Sequence, residues 1–421
     1  MHGSEGEAME KISRRKMLLT GGALGAAGAL SLATPAGARS LWTWKPSGSV
    51  AGTGTGADPR WIWDDTTDPV VASLLDRGDV PRVNELLRGW TYNSQPLPAG
   101  LPADVRDYIE HARQLPAWAD RTKLRKAPEF YSKRGLYLGL CYGFGSGMMS
   151  CAIPNEARAV YYSKGGADMR DRITKTAKLG HDIGDLNAYE NSGDMVVTAV
   201  KTRLVHAAVR HLLPQSPHWP ETGGQKPIPI SQADIMVTWH SLATFANRQM
   251  TEWKLRIPRA ESDAFLHLWQ VSASMLGVLD EYIPASWEEA DAQAQQVLDP
   301  ILGATPEGIA LADILLDLAQ LDLNGDGRSF LRPPLHALTR YMLGDEITDS
   351  LQIPRERSWD DLVAWAWPRF VAIREGAILL PLAPAVAWVL DEILRTGVLF
   401  YLGEGQNIHI EMPTANRTFP S

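Results

Sequence analysis

Apolar residues recur at intervals of three and four along most of this chain, and that period sets the expected fold class. From about residue 70 onward the i, i+3, i+4 spacing runs through 103–114, 130–150, 168–180, 194–213, 231–247, 259–282, 286–299, 307–321, 334–344, 358–376 and 384–400, which predicts a helix at each. Runs that alternate with period two are scarce, and no internal repeat occurs. The pattern implies an all-α protein with its helices in one large domain, 61–421. Residues 46–59 (PSGSVAGTGTGADP) have no period. They read as the centre of a flexible lead-in over 39–60, with Trp42/Trp44 and Trp61/Trp63 pinning its ends.

The first 38 residues belong to targeting rather than to the fold. Ser13-Arg14-Arg15-Lys16-Met17-Leu18 precedes a mild Ala/Gly-rich run, and Ala36-Gly37-Ala38 supplies a small-x-small cleavage site. This is the pattern of a twin-arginine signal, so the expected location is outside the cell. That route accepts folded cargo, which suits a cofactor inserted before export. The signal holds four basic and three acidic residues, so the chain charge of -8 becomes -9 for the remaining 383 residues. That balance argues against nucleic acid as a partner. Gly376 to Leu390 is apolar but short, with Pro381 and Pro384 inside. It falls below the roughly 20 residues that span a bilayer, so no membrane span is expected. Nothing reads as a coiled-coil or dimer seam, and a monomer is expected.

Several motifs fail on inspection. Gly143-Phe-Gly145-Ser-Gly147 lacks a preceding strand and reads as close helix packing rather than a phosphate cradle. Asp322-Leu-Asn324-Gly-Asp326-Gly327 begins like a calcium loop but has Pro333 where a bidentate Glu belongs, so an Asx-rich turn is expected. Cys141 and Cys151 read as two buried thiols rather than a bridge. Serine-nucleophile elbows, His-Glu-x-x-His and Cys-x-x-Cys-His are all absent.

Two helical segments carry the candidate chemistry. In MRDRITKTAKLG (169–180), Met169, Ile173, Ala177 and Gly180 share one stripe, while Arg172, Lys175, Thr176 and Leu179 share the next. By pattern alone this is an amphipathic surface helix. In DMVVTAVKTRLVHAAVRHLL (194–213), capped by Ser192 or Asp194 and stopped by Pro214, His206 and His211 lie about 140° apart on the helix and cannot share one metal. Ala207 and Ala208 beside His206 would let a flat ring approach the backbone. Pattern does not choose between the two histidines, and either could be a satisfied core residue.

The runs RDRITKTAKLGHDIGDLNAY and DMVVTAVKTRLVHAAVRHLLPQSPHW, with PNEARA upstream, strongly resemble the latex-clearing proteins, secreted rubber oxygenases of actinobacteria. The resemblance extends from about residue 60 to the C-terminus. It implies a globin-like helical core with additional surrounding helices, one non-covalent haem b with its iron per chain, and dioxygen as co-substrate. It also implies endo cleavage of cis-1,4-polyisoprene, leaving aldehyde and ketone ends. By resemblance His206 is the proximal haem ligand. Arg172, Lys175 and Thr176 form the distal trio, with the Lys175 amine able to cap the iron, and Glu156 is a base near the haem. On that reading a backbone carbonyl such as that of Thr202 holds the second His206 nitrogen, and burial depresses the pKa of Lys175. The helices at 130–150 and 376–400 are candidates to line a channel for an apolar polymer. A relative acting on another isoprenoid or lipid, or a non-catalytic haem-binding protein, is the alternative.

Overall fold

A computed structural model describes residues 42–164, 168–219, 228–319, 331–377, 389, 391 and 408–419. The signal segment 1–38, the Asp322–Asp326 loop and nearly all of 384–400 lie outside these residues. The chain divides into two units, Met1–Trp42 and Thr43–Ser421, and the described helices belong to the second.

That unit is all-α. Among the described residues, extended pairing is confined to two isolated bridges, Ser49 with Pro284 and Ser163 with Asn416. The helices are α1 (Asp68–Arg77), α2 (Val80–Arg88), α3 (Ala103–Ala112), α4 (Arg121–Leu140), α5 (Gly147–Cys151), α6 (Pro154–Tyr162), α7 (Met169–Asp182) and α8 (Met195–Leu212). They continue with α9 (Gln232–Trp239), α10 (Phe245–Glu252), α11 (Arg259–Met275), α12 (Trp287–Val297), α13 (Pro306–Ala319), α14 (Arg332–Leu343), α15 (Asp345–Ser350) and α16 (Arg357–Ala377). Most expected helices are present with small shifts at their ends. Periodicity does not single out α1, α2 and α6, because each is about ten residues or fewer and opens on proline.

Local chemistry sets the ends of several elements. Asp120 caps α4 by accepting from the backbone N–H of Thr122 and Lys123. Ser231 and Asp234 form a reciprocal capping box on α9. The cap expected for α8 is more particular: Asp194 occupies the position but makes no side-chain cap bond, its carboxylate being taken by Lys178 at 2.9 Å.

α4 packs along α11, where Phe130 stacks on Phe265 with ring centroids 4.2 Å apart, an aromatic pair worth about 0.5–1.5 kcal/mol beyond its buried area. Two π-type turns, Cys141–Ser146 and His240–Thr244, face each other. A π turn frees a carbonyl, and the Ser146 hydroxyl donates to that of Ser241 at 2.5 Å. A Cβ at Gly145 would run into the Phe245 ring, so this glycine serves close helix packing, in line with its reading from the sequence. Cys141 and Cys151 are both buried free thiols.

The lead-in is not loose. Trp44 donates its indole N–H to Glu289 at 2.9 Å, Val50 donates its N–H to the Ile283 carbonyl, and the Thr55 N–H reaches Glu281 at 2.6 Å. Gly48 and Gly54 permit close approach, since a Cβ at either would overlap the Glu289 or the Glu281 side chain. Acceptors on 281–296 decide this, and they lie too far along the chain for local pattern to reveal.

Candidate active site

Glu156 owes its place to Pro154, which starts α6 directly after the extended Ile153. The carboxylate therefore sits in the first turn, where the helix N-terminus favours negative charge. One side of α6 packs through Ala157 and Val160 on Leu311, Ala312 and Leu316 of α13. The other side meets α8 and the turn that follows it, with Ala159 and Tyr162 packed on the cluster of Val209, Leu213 and Trp219. Packing on both sides holds the Glu156 helix in a set relation to the His206 helix.

Glu156 Oε2 accepts a hydrogen bond from the Thr238 hydroxyl of α9 at 3.1 Å. Burial pushes the carboxyl up to about 7, against the lowering effects of the Arg172 charge and the Thr238 bond, and Asp234 adds to the rise. Arg172, from α7, is itself lowered by burial and raised by Glu156. His206 is pushed down to about 3 by burial, reinforced by the positive charges of Arg210 and Arg172, so its imidazole is neutral. Arg172 thus acts on both other groups, and the three belong to one electrostatic unit.

Desolvation dominates the titration of all three, yet each retains accessible surface. That combination marks groups lining an internal space rather than the outer surface. Among the described residues nothing bonds to either His206 ring nitrogen, and Nδ1 is buried without a partner. The carbonyl of Thr202 does not hold it, contrary to expectation, and the Thr202 hydroxyl instead donates to Thr198 one turn back. Ala207 and Ala208 are fully packed and do not line the space. The donor set fits a haem: a neutral imidazole with no competing partner, and a desolvated guanidinium of the kind that pairs with a propionate.

Other expected members are placed differently. Lys175 makes an i, i+4 ion pair with Asp171 at 2.6 Å and its side chain is partly exposed, so the expected burial is not seen. The reason is local, because Asp171 one turn earlier on the amphipathic α7 offers a nearer partner than the interior. Thr176 is exposed and donates its hydroxyl to the Arg172 carbonyl of its own helix, 3.1 Å away. His211 faces α1, 3.6 Å from Asp76, which separates it from His206. Thr238 and Asp234 join the site without having been expected in it. Their only local signal is the Ser231-x-x-Asp234 capping box that starts their helix.

His206 is steadied by its neighbours one turn away on each side. Arg203 pairs with Asp64 at 2.8 Å and Arg210 with Asp68 at 2.8 Å, tying α8 to the start of α1. A separate group, His181, Asp182 and Asp185, brings one potential ligand atom each within 4.8 Å of the others. The Asp182 carboxylate there is already taken by Lys178 at 2.7 Å and Thr198 at 2.5 Å.

Comparison with known proteins identifies the family. Residues 133–373 match the family described as ER-bound oxygenase mpaB/B'/Rubber oxygenase, catalytic domain. A rubber oxygenase of Streptomyces sp. (strain K30) is 59% identical over 410 residues, covering 97% of this chain and 100% of that protein. A solved structure of latex clearing protein LCP in the closed state superposes with a TM-score of 0.79 at 58% identity, covering 88% of this chain and 99% of that one. With the helical fold, the buried carboxyl and the neutral histidine already in place, these matches show that the chain belongs to the rubber oxygenase family of enzymes.

Proposed function

We propose that this protein is an extracellular haem b dioxygenase that cleaves the double bonds of cis-1,4-polyisoprene in endo fashion, leaving oligo-isoprenoids with aldehyde and ketone ends. The observation that carries the reading is the Glu156 carboxyl, poised near pH 7 in an interior shared with Arg172 and the neutral His206. His206 would hold the haem through a ring nitrogen, and the Lys175 amine, on leaving Asp171, would be the second group able to hold it. Bound haem supplies the activation of dioxygen.

The chain supplies the rest. Thr238 occupies Oε2 of Glu156, which leaves Oε1 to take the allylic proton of an isoprene unit. Arg172 favours the ionised carboxylate that this requires and then balances charge as the proton moves. Packing of α6 between α8 and α13 fixes where the carboxyl sits. The polymer offers no polar handle, so its register depends on apolar walls, for which 130–150 remains the nearest candidate segment in sequence.

A purified sample tests this directly. A Soret band with one haem per chain, together with oxygen uptake on polyisoprene latex and carbonyl-ended products, is expected. A haem-free protein, or a haem protein that takes up no oxygen with polyisoprene, would end the proposal. Export by the twin-arginine route is part of the same reading. Arg14→Lys with Arg15→Lys should abolish clearing zones around colonies, and undiminished zones would remove it.

A further inference from the structure

Large apolar side chains exposed among the described residues are Trp61, Tyr92, Leu186, Leu279, Ile301, Ile314 and Val389, scattered over the chain, and five more on one helix. Those five are Trp359, Leu362, Trp365, Phe370 and Ile373, all on α16, with Trp365 58% and Ile373 72% exposed. At 100° per residue Trp359, Leu362, Phe370 and Ile373 fall within an arc of about 80°, and Trp365 flanks it. Scattered apolar residues need no explanation, whereas a continuous stripe on one element does.

The adjoining face of α16 anchors it. Val371 is buried, and the Trp367 ring lies 5.1 Å from that of Trp253 and 6.2 Å from that of Tyr137. Arg374 pairs with Asp391, whose carboxylate also accepts from the Leu136 backbone N–H at 3.0 Å. Asp391 therefore meets α16 on its anchored flank and not on the apolar stripe. The cation nearest the stripe, Arg369, is folded back: its guanidinium lies 4.4 Å from the Trp365 ring centroid and donates to the Trp365 carbonyl at 2.6 Å.

We propose that the outer face of α16 is the surface by which the protein adsorbs to a water-insoluble hydrocarbon, the polyisoprene particle itself. This rests on the function proposed above. A hydrocarbon surface presents neither charge nor hydrogen-bonding groups, and the stripe matches it with aromatic and aliphatic side chains whose one neighbouring cation is already satisfied. A second copy of the chain fits less well. A 21-residue helix is about 32 Å long, so a strip some 10 Å wide offers on the order of 300 Å², well short of the roughly 800 Å² per partner of a stable protein interface. Adsorption to a solid needs no such area, because a weak contact that lets the protein leave and rebind serves an enzyme working along a polymer.

The test compares wild type with Leu362→Lys/Ile373→Lys, two positions whose side chains are exposed. Co-sedimentation with bare synthetic polyisoprene particles should fall at least tenfold in the variant, and wild-type adsorption should persist in 1 M salt. Cleavage of a short oligo-isoprenoid dissolved with a water-miscible cosolvent should be unchanged. Wild-type adsorption by the variant would overturn the proposal. So would an equal loss of activity on the dissolved oligomer, or light scattering that shows a wild-type dimer split by the substitutions. Adsorption is read without turnover, so failure of the oxygenase reading would show separately, as wild-type protein that cleaves neither substrate.

Discussion

The Thr238 hydroxyl lies 3.1 Å from Oε2 of Glu156, joining two helices whose residues stand 82 apart in the chain. This bond and the Arg172 charge oppose the burial that would otherwise keep the carboxyl protonated at neutral pH. Glu156 is therefore neither an ordinary surface acid nor a permanently neutral core group.

Replacing Glu156 by Gln keeps size and most hydrogen bonding but removes the proton acceptor. Oxygen uptake on polyisoprene should drop by ~10² to 10⁴, with haem content near wild type and no fall in melting temperature. Parallel loss of stability and haem in Glu156→Gln and Arg172→Leu would show instead that the two groups serve as a structural charge pair.

The pH dependence has a definite sign. Activity should rise through about pH 7 as Glu156 ionises. Because its folded pKa is raised, the stability it contributes is full below the ordinary value of about 4.5 and is lost as pH climbs through about 7. Melting curves of wild type and Glu156→Gln should therefore diverge across that window. Parallel curves would place the carboxyl in water.

Thr238→Val removes a bond that lowers the Glu156 pKa, so the activity midpoint should move to higher pH. Thr238→Ser should restore it. A general loss of activity with no change in the pH profile would reduce Thr238 to packing.

His206→Ala should purify largely without haem, while His211→Ala should keep it, since His211 points toward Asp76 on α1. His206 also makes the apoprotein acid-sensitive. Its pKa is depressed to about 3, so the stability it contributes is full above about 6.5 and fades as pH falls toward 3. Haem retention by His206→Ala and loss by His211→Ala would reverse the ligand assignment.

Lys175→Ala breaks an i, i+4 pair at the edge of α7, worth about 0.3–0.5 kcal/mol of stability. If the amine leaves Asp171 for the haem, the visible bands of the loaded protein should also change. Bands identical to wild type from pH 6 to 10 would confine Lys175 to its ion pair.

Much of the fold is legible in the residues themselves. A period of 3.6 makes α7 and α8 amphipathic whatever packs against them, and the Pro214 stop and the Ser231-x-x-Asp234 box depend only on neighbouring backbone groups. The motifs around Glu156, Arg172 and His206 are legible too, though as a resemblance and not as geometry. Tertiary structure decided which of those groups meet. Pattern could not separate His206 from His211, and packing did so by turning one toward a desolvated interior and the other toward Asp76. Nor could it find Thr238, or foresee that Asp171 holds Lys175. The reason is physical: helix formation depends on bonds between residues four apart, whereas desolvation and charge coupling depend on which distant helices come to share one interior.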